Sequence, residues 1–286
     1  MPTATSKSPS RTHEPAWSVP SLREPRYSQS LARGLAILTC FTPERPALGI
    51  ADIADEQGMS RSTMHRYVTT LEVLGYLEQG TSRKYRLGLR VSDLGMSVLN
   101  SLGLREHSHP CLQALRERTR YTASLAVLDG TDVRYVGCAH GLRRGQHEID
   151  LGLKPGSKLP AYCTALGRAL LAHLPEDEQS ERIARIESLA KRGPNTITSK
   201  SALRRELEQV LEAGLAVDDE ELAAELYAIA APVRDGDGRV VAAAGLAVPA
   251  STTSLEQLVS TLGPHLVSTA DRISARLGYR RNDEQS

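Results

Sequence analysis

Two short amphipathic segments separated by a three-residue turn constrain this chain more than any other feature. Residues 49–57 place Ile50, Ile53 and Ala54 on one side of a helix, and Gly58 supplies the left-handed conformation that closes it. Ser60 is a good N-cap for the next segment, where Met64, Val68 and Leu71 recur at i, i+4 and i+7. Helix, tight turn and helix must then share one small core. Upstream, residues 27–41 carry Leu31, Leu35 and Leu38 at the same spacing, which predicts a first helix buried along that stripe and ended by Pro43.

The opposite face of the segment after Ser60 carries Arg61, Ser62, His65, Arg66 and Thr69. Taken alone, such a face is more often solvated surface than a binding site. The next stretch of chain changes the balance: residues 75–78 and 84–87 flank residues 79–83 and read as a hairpin with a basic tip. A helix pair followed by such a wing has the layout that puts its second helix in the DNA major groove, with the hairpin on the flanking phosphates. The candidate DNA contacts are Ser60, Arg61, Ser62, Thr63, His65 and Arg66 on the helix, and Arg83, Lys84 and Arg86 on the wing. Arg61 and Arg66 have the fork that bonds guanine bidentately. Charge agrees in sign: residues 1–105 hold 13 Lys and Arg against 9 Asp and Glu, a net +4, while the remainder holds 22 against 25, a net −3.

The chain has 286 residues, more than one ordinary domain, and no apolar run near the ~20 residues of a membrane span. The expected organisation is a disordered tail over 1–25, a winged helix-turn-helix over 26–88, a linker helix over 89–105, an effector-binding domain over 106–280 and a tail over 281–286. A cytoplasmic location is expected, since the first 25 residues lack the apolar core of a secretory signal. Cys40, Cys111, Cys138 and Cys163 stand far apart without a C-x-x-C pair, which argues against a disulfide framework or a structural metal; neither metal nor cofactor is expected. The linker carries Val91, Leu94, Val98 and Leu102 on one stripe, for packing on its own domain or, preferably, on a second copy.

From about residue 106 the pattern becomes α/β (α+β): an antiparallel sheet with flanking helices. Residues 124–128 and 133–138 read as strands joined through Asp129 and Gly130, and 148–153 as a third. A helix begins near Thr164. Residues 227–234 and 239–248 flank Asp235-Gly236-Asp237-Gly238, and a terminal helix over 254–277 is expected to break near Gly263 and Pro264. In residues 156–172 a loop runs into a helix N-terminus, so backbone N–H groups from Cys163 to Leu166 are placed to bind an anion such as a carboxylate.

Residues 31–38, 60–76 and 85–88 resemble the DNA-binding domain of the IclR family of bacterial regulators, and residues 156–172 resemble its effector-domain signature. Gly49 departs from the Ser or Thr that often caps the second helix there. The resemblance implies a GAF-like sensor domain and a ligand-responsive transcriptional regulator. Its partners would be double-stranded operator DNA, a small organic-acid effector and further copies of itself as homodimer or tetramer, with RNA polymerase in the case of an activator. It also implies effector contacts at Tyr162, Cys163, Thr164, Ala165, Leu166, Asp218, Leu226, Ala228, Gly245 and Ala247. Family members commonly carry Ser, Cys or Asn at the positions of Ala228, Gly245 and Ala247, which predicts a roomier, less polar pocket. The wording of residues 159–164 is most similar to the branch controlling protocatechuate and hydroxybenzoate breakdown, so an aromatic acid is the expected effector, with Arg143 or Arg144 as its carboxylate partner. The rival of another class is a hydrolase-like or thiol-based enzyme or sensor, with Cys163 as nucleophile and His140, His147 or His173 as base.

Overall fold

A computed structural model describes residues 28–42, 44–94, 103–141 and 152–280. The chain divides into two compact units, Met1–Val98 and Leu99–Ser286.

In the first unit, α1 (Gln29–Thr39), α2 (Ile50–Glu56) and α3 (Arg61–Val73) precede a two-stranded antiparallel hairpin of β1 (Leu77–Gln79) and β2 (Tyr85–Leu87). Each start has a local cause. Ser28 and Ser60 accept hydrogen bonds from Leu31 N and Thr63 N. Gly49 has no side chain to do so, and the Asp52 carboxylate instead accepts the Gly49 N–H at 2.9 Å, half of a capping box. Gly58 sits at φ +61° and closes α2 as expected. Ile53, Ala54, Met64, Val68 and Leu71 are buried together with Leu77 and Tyr85. The strands are shorter than the sequence suggested: residues 75, 76 and 84 lie outside them.

The expected stripe on α1 is corrected. Its buried residues are Ala32, Ala36 and Ile37, whereas Leu31 is 65% and Leu35 50% exposed. The helix packs with its small-residue face inward, and Leu38 is only partly buried against the core. Beyond the wing, residues 90–94 begin a helix tied down by the Arg90 guanidinium, which donates to the Leu74 carbonyl at 2.9 Å. Residues 95–102 of the expected linker helix lie outside the described residues, as do both tails and Pro43.

The second unit is built on one antiparallel six-stranded sheet. In chain order come α4 (Leu104–Thr119), β3 (Thr122–Asp129), β4 (Asp132–Ala139), β5 (Lys158–Pro160), a 3-10 turn (Ala161–Cys163), α5 (Ala165–Ala172), α6 (Glu176–Arg185), α7 (Lys200–Ala213), β6 (Ala216–Asp219), β7 (Leu226–Arg234), β8 (Val240–Pro249) and α8 (Gly263–Arg276). The spatial order is β5-β4-β3-β8-β7-β6. Strand alternation divides the core in two. Ala126, Val133, Tyr135, Ala230 and Ala243 face α5 and α7. Leu125, Val136, Ile229, Ala231, Ala242 and Ala244 face α4 and α8.

Both expected hairpins form. Gly130 turns at φ +67° between Asp129 and Asp132, and Gly238 at φ +79° ahead of β8. The expected strand over 148–153 falls mostly outside the described residues, and Gly152 and Leu153 are not in a strand. The terminal helix does not break at Pro264. A turn, Leu255–Gln257, passes through a π-helical turn, Leu258–Leu262, directly into α8. The Gly263 N–H bonds back to Leu258 O, a wider ring that absorbs the missing proline donor without ending the helix.

Candidate functional site

The exposed face of α3 presents Arg61, Ser62, His65, Arg66 and Thr69, opposite the buried Met64, Val68 and Leu71. His65 Nδ1 lies 3.3 Å from Thr69 Oγ1, which holds the ring against the helix. Two expected contacts are already engaged. The Ser60 hydroxyl accepts the Thr63 N–H at 3.2 Å and donates to Thr63 Oγ1 at 2.9 Å, so it serves the cap. Arg86 faces Glu78 across the hairpin and donates to one of its carboxylate oxygens from Nε (3.2 Å) and Nη2 (3.0 Å). Arg83, at φ +58°, and Lys84 remain at the exposed tip.

In the second unit, the approach to α5 is fixed by contact rather than by propensity. The 3-10 turn folds back so closely that a Cβ on Gly167 would lie 2.2 Å from the Ala161 carbonyl oxygen. Thr164 caps α5 by accepting the Gly167 N–H at 3.1 Å. Ala165 and Leu166, the first helical residues, have N–H groups without intrahelical partners. Both residues line a small cavity under the sheet.

That cavity brings together Thr164, Ala165, Leu166, Asp218, Leu226, Ala228, Gly245 and Ala247. The sequence missed Ser124 and Thr122 on β3, Tyr135 and Cys138 on β4, and the apolar Leu153, Leu222, Ile229 and Leu246. The strand alternation that places Ser124 opposite Gly245 was the available signal. Tyr162 and Cys163 are not part of the lining. The Tyr162 hydroxyl donates to Ala190 O at 2.7 Å, and Cys163 is fully buried. Arg143, Arg144 and His147 lie outside the described residues.

The room expected from the small residues at Ala228, Gly245 and Ala247 is not open in this structure. The cavity is only about 40 Å³, against the ~150 Å³ of a cavity that takes up benzene. Leu166 fills the space left by the missing side chain at Gly245: a Cβ there would meet Leu166 Cδ2 at 2.9 Å. The lining is mostly apolar; of its hydroxyl-bearing residues, Thr164 bonds the Gly167 N–H and the Pro160 carbonyl and Thr122 accepts the Gly141 N–H, while Ser124 and Tyr135 stand beside them. A wider recess of about 710 Å³ between α7 and α8 is a shallow surface groove, without the convergence of helix end and buried acid seen here.

Asp218 is the charged centre of the cavity. It is 1% exposed, and burial pushes its carboxyl up to about 7 despite the nearby Arg168 guanidinium and the Glu221 N–H, which donates to it at 2.8 Å. Arg168 is fully buried; its two Nη atoms donate to the Glu221 carboxylate and the Val217 carbonyl, while its Nε has no hydrogen-bond partner. The turn carrying Glu221 is pinned by Thr196, whose hydroxyl donates to the Glu221 carbonyl at 2.6 Å. The thiol reading fails on the same electrostatics: burial pushes Cys163 up to about 12, the reverse of an activated nucleophile.

A winged helix-turn-helix on one unit and a cavity under the sheet of another fit a DNA-binding regulator with a small-molecule-binding domain. Residues 30–80 match the IclR helix-turn-helix domain, and residues 96–275 match the bacterial transcriptional regulator IclR C-terminal domain. The chain belongs to the IclR family of bacterial transcriptional regulators, which are not enzymes. It is 32% identical to the HTH-type transcriptional regulator XynR of Escherichia coli (strain K12), over 88% of this chain and 98% of that protein. It is 31% identical to the Pca regulon regulatory protein of Pseudomonas putida, over 86% and 83%. Among solved structures, an IclR homologue from Microbacterium hydrocarbonoxydans complexed with 4-hydroxybenzoate shares 28% identity at a TM-score of 0.76, covering 87% of this chain and 98% of that one.

Proposed function

We propose that this regulator responds to a small aromatic carboxylic acid and controls genes for breakdown of such compounds, acting in the cytoplasm as a homodimer or tetramer. The observation that carries the ligand class is one cavity lined by the first residues of a helix and by a buried acid within an otherwise mostly apolar wall. The likeness to a homologue complexed with 4-hydroxybenzoate and to a Pca regulon regulator supports the same class. A ring enters only after Leu166, or Leu153 and Leu222, moves aside. That displacement gives the ligand a differential affinity for two states of the unit, as any effector needs.

On DNA, Arg61, His65 and Arg66 read base edges, Ser62 and Thr63 bond phosphate or base, and Arg83 and Lys84 contact phosphates. The exposed Leu31 and Leu35 ridge supports pairing with a second copy, which would set two reading helices a helical turn of DNA apart, ~34–36 Å, or a multiple of it. The test is calorimetry of the full chain against aromatic and short aliphatic acids. Micromolar binding of a benzoate is expected. Binding of an acid no larger than pyruvate, with no benzoate bound, would replace the aromatic assignment by one that fits the small cavity as it stands.

A further inference from the structure

The cavity sets an electrostatic problem for any acid that enters it. Asp218 lines it beside Thr164, Ala165 and Leu166, and among the described residues no Lys, Arg or His does. The groups facing Asp218 are few. Arg168 of α5 is held by Glu221 and the Val217 carbonyl; Glu221 stands in the turn after β6; Tyr135 and Cys138 come from β4, and Cys163 precedes α5. From β7 and β8 come only Leu226, Ala228, Ile229, Gly245, Leu246 and Ala247, none titratable. Among the described residues, a ligand carboxylate would therefore sit against a second buried carboxyl with no cation in the lining to separate them. Two such groups in one enclosed site cannot both ionise.

Resting on the acid-effector reading, we propose that effector binding is coupled to uptake of one proton by Asp218, whose neutral carboxyl donates a hydrogen bond to the ligand carboxylate. The proton comes from solvent, no covalent bond of the ligand changes, and the first-turn N–H groups of α5 serve the same anion. In the empty protein burial holds the Asp218 carboxyl up at about 7. The proton is thus already in place at pH 6 and has to be acquired at pH 8.5.

The experiment is isothermal titration of the full-length protein with benzoate and 4-hydroxybenzoate at pH 6 and 8.5, the latter in phosphate and in Tris, whose ionisation enthalpies differ. Affinity is expected to fall about 30-fold between the two pH values, with close to one proton taken up per ligand at pH 8.5. Asp218→Asn, a permanently neutral donor, should give the same Kd at both pH values and no buffer-dependent heat. Should that variant not fold, the wild-type buffer series decides alone. Binding of either acid without pH dependence overturns the proton step and leaves the effector class standing. Absence of acid binding at both pH values overturns both. Tighter binding of benzylamine than of benzoate also overturns both, since it would mean that Asp218 stays ionised and takes a cation.

Discussion

At the scale of single residues, Asp218 and Gly167 show what the sequence carried and what it could not. Resemblance named Asp218, but only the fold shows that it is buried, with the Nη atoms of nearby Arg168 bonded to Glu221 and Val217. Its native carboxyl titrates near 7 and its unfolded one near the ordinary value of 3.8. A raised carboxyl favours the native state while protonated, so its contribution is full below pH 4 and is lost as pH rises through 7. Thermal midpoints of wild type and Asp218→Asn should accordingly diverge from pH 4 to pH 8, with wild type losing on the order of a few kcal/mol relative to the variant. Parallel curves would mean that the carboxyl is not raised. Gly167→Ala should cost roughly 3 kcal/mol or more in urea unfolding, because its Cβ meets backbone that cannot rotate away. A midpoint within error of wild type would mean that the 3-10 turn yields to a methyl group. Nothing in the local sequence announces that clash, since the partner, Ala161, lies in a turn whose path only tertiary structure sets.

At the scale of elements, capped and strongly periodic segments were legible. Ser60 with Met64, Val68 and Leu71 gave α3 both its start and its buried face. Periodicity misjudged α1, because Leu31, Leu35 and Leu38 repeat as regularly as the small residues that are buried. Leucine spacing identifies an apolar stripe, and the neighbour that covers it need not belong to the same unit. The short edge strands β5 and β6 and the charged α6, with Ile183 alone buried, carry too little pattern to read. By contrast, α7 has a Ser199 cap and buried Leu203, Leu207 and Val210, a signal that was there to be used. For α3 as a reading helix, Arg61→Ala and Arg66→Ala should each lower operator affinity by about 1–3 kcal/mol without changing the melting temperature. Arg83→Ala on the wing should weaken all sequences alike and reduce the salt slope by about 1. Because Arg86 is held by Glu78, Arg86→Ala should have a smaller effect on salt slope than Arg83→Ala. The reverse order in filter-binding assays would show that the Glu78 pair opens on DNA.

For the whole molecule, the two-unit organisation was visible in the change from helical to alternating periodicity and in the sign of the charge. Assembly was less legible, since an apolar ridge does not name its partner. If Leu31 and Leu35 pack on a second copy, Leu31→Glu with Leu35→Glu should shift the sedimenting species toward monomer and abolish cooperative operator binding, while the 4-hydroxybenzoate Kd changes little. An unchanged oligomer would move the interface elsewhere.

Whether an aromatic acid changes sequence-selective DNA binding is decided by fluorescence anisotropy on DNA from upstream of the protein's own gene. Random DNA is the control, and protocatechuate and 4-hydroxybenzoate are added in turn. Selective binding is expected, with an affinity that one of these acids shifts about 5- to 150-fold, the range of a 1–3 kcal/mol coupling. Selective binding that neither acid alters would contradict the assigned effector, and equal binding to both DNAs would contradict the reading of α3 itself.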